Sequence, residues 1–132
     1  MEENKALVRQ WVEEMDKQNW TIYDELNAPD AVLHSGGITF SREEARQMAP
    51  AYYKAFPDFH HVIDDLIAEG DKVVLRTTDY GTHEGEFMGV PPTGKKVSFG
   101  MIAIYRIKDG KIIEAWGVYD MLGLMNQLGA QK

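Results

Sequence analysis

The hydrophobic period of this chain changes at Pro57, and that change constrains the fold more than any motif does. Before it, apolar residues recur at helical spacing. Leu7, Val8, Trp11, Val12 and Met15 form one stripe, which predicts an amphipathic helix over about residues 3 to 18. A short helix from Trp20 to Leu26 follows, broken by Ala28-Pro29-Asp30. Ala31-Val32-Leu33-His34 reads as a short strand ended by Ser35-Gly36-Gly37. Ser41-Arg42-Glu43-Glu44 is a capping box, and Ala45, Met48, Ala49, Tyr52 and Phe56 continue a helical stripe beyond it. Pro50 inside that stripe is expected to kink or divide the helix, and Pro57 ends it.

After Pro57 the runs are those of strands: Phe59 to Ala68, Lys72 to His83, Val97 to Ile107 and Lys111 to Tyr119. Glu69-Gly70-Asp71 and Lys108-Asp109-Gly110 are the joining turns. Asp120 to Leu128 returns to helical spacing, with Gly129 as its stop. Helices first and a four-strand meander last is an α+β order. The expected fold is a single domain over residues 1–132, with N-terminal helices packed on a strongly bent antiparallel sheet that encloses a pocket. The run from Val97 to Ile107 is apolar on both alternations, whereas a sheet with one wet face should alternate. The outer face therefore needs a cover, and a homodimer is the expected one.

A chain of 132 residues can bury a core without staples, and with no cysteine it has neither disulfide nor thiolate chemistry. A net charge of −7 with scattered lysines and arginines excludes an electrostatic nucleic-acid binder. The start lacks the features of a secretory signal, and no apolar run reaches transmembrane length, so a cytoplasmic protein is expected. From Gly89 to Lys96 the letters nearly spell a phosphate-binding loop. Pro91 and Pro92 have no N–H to offer a phosphate, Lys96 stands where a hydroxyl is required, and a strand follows where a helix should. Nucleotide binding is rejected. The 84–95 segment is instead expected to close the pocket as a lid.

Phe56-Pro57-Asp58, Glu69-Gly70-Asp71-Lys72-Val73-Val74, Arg76, Gly81-Thr82-His83-Glu84-Gly85, Pro91-Pro92-Thr93-Gly94-Lys95, Asp109-Gly110-Lys111-Ile112, Trp116 with Asp120, and Gln127-Leu128-Gly129 stand in order along the chain. This pattern resembles the SnoaL-like polyketide (ester) cyclase family, over about residues 4 to 129. The resemblance implies an NTF2-like cone with a deep pocket. It also implies ring closure by intramolecular aldol condensation of an ester substrate, without metal or organic cofactor. The family's catalytic aspartate matches Asp120. A histidine assists in that family, and the strand Val97–Ile107 carries none.

The residues themselves suggest the following site. Asp120, at the mouth of an apolar cavity, would act as a general base, although it directly precedes a helix and also suits an N-cap. His34 and His83 end strands that could reach the same mouth. Trp116 shares strand parity with Asp120 and would form a wall or donate to a carbonyl. Arg76 lies mid-strand and could pair with Asp120. Tyr52, Phe56, Phe87 and Met101 would supply an apolar lining. His60 and His61 point to opposite faces of a strand, so they cannot chelate one metal together, and either reads as a surface residue. No metal-ligand spacing exists and no cofactor is expected. The expected ligand is a small hydrophobic carbonyl compound. The expected activity is cyclase-type acid–base chemistry, with a non-catalytic binding module, or a hydratase or isomerase using Asp120 with His34 or Arg76, as alternatives.

Overall fold

The computed structural model describes residues 2–129. Helix α1 (Glu2–Asp16) buries Val8, Val12 and Met15 from its predicted stripe. Helix α2 (Trp20–Leu26) is capped by Asn19, whose side chain accepts from Ile22 N–H. Strands β1 (Asn27–Ser35) and β2 (Ile38–Ser41) form a hairpin closed by Gly36 and Gly37. Both glycines have positive φ, 61° and 78°, the backbone that a tight two-residue hairpin turn demands.

Helix α3 (Arg42–Ala55) opens on the predicted capping box, Ser41 Oγ accepting from Glu44 N–H and Glu44 Oε1 accepting from Ser41 N–H. The helix is not divided at Pro50; burial of Tyr53 and Ala55 holds its last turn. Strands β3 (His60–Glu69), β4 (Lys72–Thr82), β5 (Lys96–Lys108) and β6 (Lys111–Tyr119) lead to α4 (Met121–Gln127).

The six strands run in the order β2-β1-β6-β5-β4-β3. The expected four-strand antiparallel meander is present as β3 to β6, but the sheet as a whole is not the antiparallel one expected. The sheet is mixed, because β1 lies parallel to β6, with His34 opposite Trp116. That pairing joins segments about eighty residues apart, so no local periodicity announces it. Register shifts break the ladders between Ile63 and Asp65 and between Arg106 and Ile107, and bulges of this kind bend strands. The result is an α+β cone with helices on the concave side.

Alternation along β4 and β5 sorts the two faces. Val73, Leu75, Thr77 and Asp79 face inward and are buried, as are Phe99, Ala103 and Tyr105. Val8 and Val12 of α1 pack against Val73, Leu75 and Tyr105 at one end of the core. Tyr53, Phe56, Phe59, Phe87 and Leu124 pack together at the other. On the outer face Ile67, Ile102 and Val118 are 58%, 47% and 64% exposed. Among the described residues, no helix is long and apolar enough to cross a membrane.

Candidate active site

Between the concave face and the helices lies a cavity of about 380 Å³, within the range of small-molecule sites. Trp11, Tyr52, Phe59, Phe99, Met101 and Tyr119 supply much of its wall. Its sheet side is thinned by small residues. Ala103 on β5 stands opposite Gly117 on β6, and Ala115 lies one step along the same inward row. Large side chains there would close the space.

Two ionisable side chains interrupt this apolar wall. His61 on β3 and Asp79 on β4 are cross-strand partners, and both line the cavity. Asp79 is only 2% exposed. Its Oδ1 accepts a hydrogen bond of 2.7 Å from Thr77 Oγ1, and its Oδ2 lies 3.7 Å from His61 Nε2. The second distance is beyond hydrogen bonding, so Oδ2 keeps its lone pairs available.

The other ring nitrogen of His61, Nδ1, donates to Asp16 Oδ1 at 2.7 Å. An ionised carboxylate can only accept, so Nδ1 carries a proton. Asp16 Oδ2 also accepts from the His61 backbone N–H at 2.8 Å, and Tyr53 Oη donates to Oδ1 at 2.8 Å. The last residue of α1 thereby fixes a side chain of α3 and the orientation of an imidazole on β3.

This environment moves both titrations. Burial pushes the Asp79 carboxyl up, outweighing the pull of nearby His61 and the Thr77 hydrogen bond, while Asp16 and Asp64 add to the rise. For His61, burial works to lower the value, but the hydrogen bond to Asp16 and the charges of Asp79 and Asp16 outweigh it, and the net direction is up. A desolvated carboxylate with a free oxygen, beside an imidazole that can hold a proton, has the chemistry that general acid–base work requires.

The structure distributes the sequence-predicted residues differently from expectation. Tyr52 and Met101 stand in the cavity wall. Phe56 and Phe87 do not; they are buried in the core, where Phe56 packs on His83 and on Phe87. Asp120 is exposed and caps α4, its Oδ1 accepting from Gly123 N–H at 2.8 Å. It is not among the residues lining the cavity. Trp116 shares its outward parity, and His34 stacks on Trp116 at 5.6 Å between ring centres.

His34 is held outside by Thr39 Oγ1 at 2.9 Å and Glu114 Oε2 at 2.8 Å. Arg76 also faces outward, paired with Asp65 at 2.6 Å and with Asp64 at 3.7 Å rather than with Asp120. None of His34, Arg76, Trp116 and Asp120 lines the cavity, which is walled instead by the inward rows of β4, β5 and β6. His83 is fully buried, its Nδ1 accepting from Thr93 N–H at 3.2 Å. With its backbone bonds to Lys95 and Gly94, it ties the loop down. No residue of 84–95 lines the cavity, so the expected lid is a strap over the core, anchored where Glu84 and Gly85 N–H groups donate to Ala55 O.

His60 is exposed and stacks on Tyr80, whereas the His61 side chain is only 6% exposed. A signal for the missed pair was present. Asp79 has the parity of Val73 and Leu75, and a carboxylate on an apolar alternation is anomalous. Its partner is set by the β3–β4 register, and Asp16 by the docking of α1, neither of which periodicity fixes.

Comparison with known proteins places this geometry in context. The family model for the SnoaL-like polyketide cyclases matches residues 5–128. The chain is 33% identical over 116 residues to the aklanonic acid methyl ester cyclase DauD of Streptomyces sp. (strain C5), covering 86% of this chain and 70% of that protein. It is 44% identical over 103 residues to the aklanonic acid methyl ester cyclase DnrD of Streptomyces peucetius, covering 74% of this chain and 71% of the relative. Among solved structures, AclR of Streptomyces galilaeus, described as a candidate hydroxylase, superposes with a TM-score of 0.93 at 36% identity. That match covers 100% of this chain and 99% of AclR. With a family match over nearly its whole length and an NTF2-like cone of the same shape, the chain belongs to the SnoaL-like polyketide cyclase family.

Proposed function

We propose that the protein closes a ring in a hydrophobic ester-bearing polyketide by cofactor-free acid–base catalysis, with Asp79 as the base and His61 as its proton partner. The observation that carries this reading is the 2%-exposed carboxylate of Asp79, opposite His61, in an otherwise apolar cavity. A binding module would need only the apolar wall. Convergent polar groups with shifted titrations favour a reaction.

In the first step Asp79 Oδ2 takes a proton from the carbon next to a carbonyl. The C–H electron pair moves into the carbonyl system and forms an enolate. The enolate carbon then attacks a second carbonyl carbon of the same molecule. A C–C bond forms, the π pair moves to oxygen, and that alkoxide takes back the proton held by Asp79 or His61. Atoms and charge balance as an isomerisation, so no oxidant or co-reactant enters. The apolar wall excludes water, which strengthens each electrostatic contact at the reacting atoms.

The working form we assign is a homodimer through the outer sheet face, supported by the exposure of Ile67, Ile102 and Val118. A cytoplasmic setting suits a chain without cysteine. The deciding experiment follows consumption of aklanonic acid methyl ester, the compound named for the relatives, by chromatography. Asp79→Asn should lower turnover by about 100-fold or more. Asp120→Asn should leave it within about twofold, since asparagine caps a helix as well as aspartate does. Full activity in Asp79→Asn, or its loss in Asp120→Asn, would return the base to Asp120.

A further inference from the structure

We propose that the hydrogen-bonded tyrosine pair Tyr52–Tyr119 is the site that binds the substrate oxygen on which negative charge develops, with Tyr119 as the donor and Tyr52 as its positioning residue. This rests on the acid–base reading above and supplies what that reading lacks. A base that forms an enolate needs a second group to hold the enolate oxygen.

Both rings line the cavity. Tyr52 Oη donates to Tyr119 Oη at 3.0 Å, and Tyr119 Oη in turn points its proton to Met121 Sδ at 3.9 Å. A thioether is a weak acceptor. The Tyr119 proton is thus held in place yet poorly satisfied, and a substrate oxygen entering the cavity would be a better partner. The bond from Tyr52 polarises the Tyr119 hydroxyl and strengthens what it can donate.

The pair also stands at a suitable place relative to the base. Phe99 is the cross-strand partner of Asp79, and its ring packs on Tyr119 with centres 5.8 Å apart. Asp79 and Tyr119 therefore both adjoin Phe99, and both line one cavity together with Tyr52. A flat carbonyl compound lying over Phe99 would present its acidic C–H to Asp79 and its oxygen to Tyr119. Tyr52 keeps its proton for the bond to Tyr119, because burial pushes its phenol well above the usual value. The ligand class is accordingly a planar conjugated molecule bearing an enolisable or phenolic oxygen.

The probe is 2-naphthol, whose neutral and anionic forms differ in absorbance and whose anion mimics an enolate. In Asp79→Asn, which mimics the base after it has accepted its proton, bound naphthol should ionise at lower pH than free naphthol. Adding Tyr119→Phe should weaken binding of the anion by about 10- to 100-fold, with a much smaller change for neutral naphthol. Adding Tyr52→Phe should cost less, since it removes only the positioning bond. Equal anion affinity with and without the Tyr119 hydroxyl, or failure of Asp79→Asn to bind either form, would overturn the proposal. If Asp79→Asn retains turnover while Tyr119→Phe still loses the anion, the choice of base fails and the oxygen site stands.

Discussion

Gly117→Val should make the protein more stable and less able to bind a ligand, and the size of both effects follows from where Gly117 sits. It lies on the inward row of β6 between Ala115 and Tyr119, facing the cavity. A Cβ built there meets only the Cβ of Ala103, at 3.9 Å, which is ordinary contact. Nothing must move to accept the first carbon. Replacing a mid-strand glycine recovers roughly 0.5–1 kcal/mol of backbone entropy. Burying a valine side chain contributes roughly 1.5 kcal/mol, at the low end of the range for a large aliphatic residue.

The sum is about 2 kcal/mol. For a chain of 132 residues that corresponds to a rise of about 6–10 °C in Tm. The added carbons occupy the space beside Tyr119, so affinity for 2-naphthol should fall by about tenfold or more, from lost volume and a displaced oxygen site. Differential scanning calorimetry reads the first effect and absorbance titration the second. A lower Tm would show that the cavity at Gly117 is already filled. Unaltered naphthol affinity with a raised Tm would show that the ligand binds elsewhere.

Two further expectations concern charge and assembly. The folded pKa of His61 is raised above its ordinary value of 6.5, so its contribution to stability is complete below about pH 6.5 and is lost as pH rises through the folded value. The urea midpoint of the wild type should therefore fall between pH 6 and pH 9 by more than that of His61→Gln; parallel curves would refute the coupling to Asp16 and Asp79. For the outer face, light scattering should give twice the chain mass for the wild type and the chain mass for Ile102→Lys combined with Val118→Lys. A monomeric wild type at micromolar concentration removes the dimer.

What the sequence determined alone was what short-range chemistry controls. Pro57 marks the change from helical to strand period, and the strands after it begin and end within a residue or so of where their alternation places them. The Ser41–Glu44 capping box forms as its letters predict, because both of its hydrogen bonds close within one helical turn. The family was legible for a related reason: its motifs sit at turns, caps and the 81–95 strap, where backbone geometry dictates residue type.

The site was not legible in this way. Parity grouped Trp116 with Asp120, but parity cannot say which face of a sheet is concave. That depends on the bulges in β3 and β6 and on where α1 and α3 dock. His61 is a buried residue of the cavity wall, not a surface one, because the β3–β4 register set it against Asp79 and the end of α1 brought Asp16 to its other nitrogen. Side chains from three separate elements meet there, and only tertiary packing, driven by burial of the stripes and strands between them, brings them within hydrogen-bonding reach.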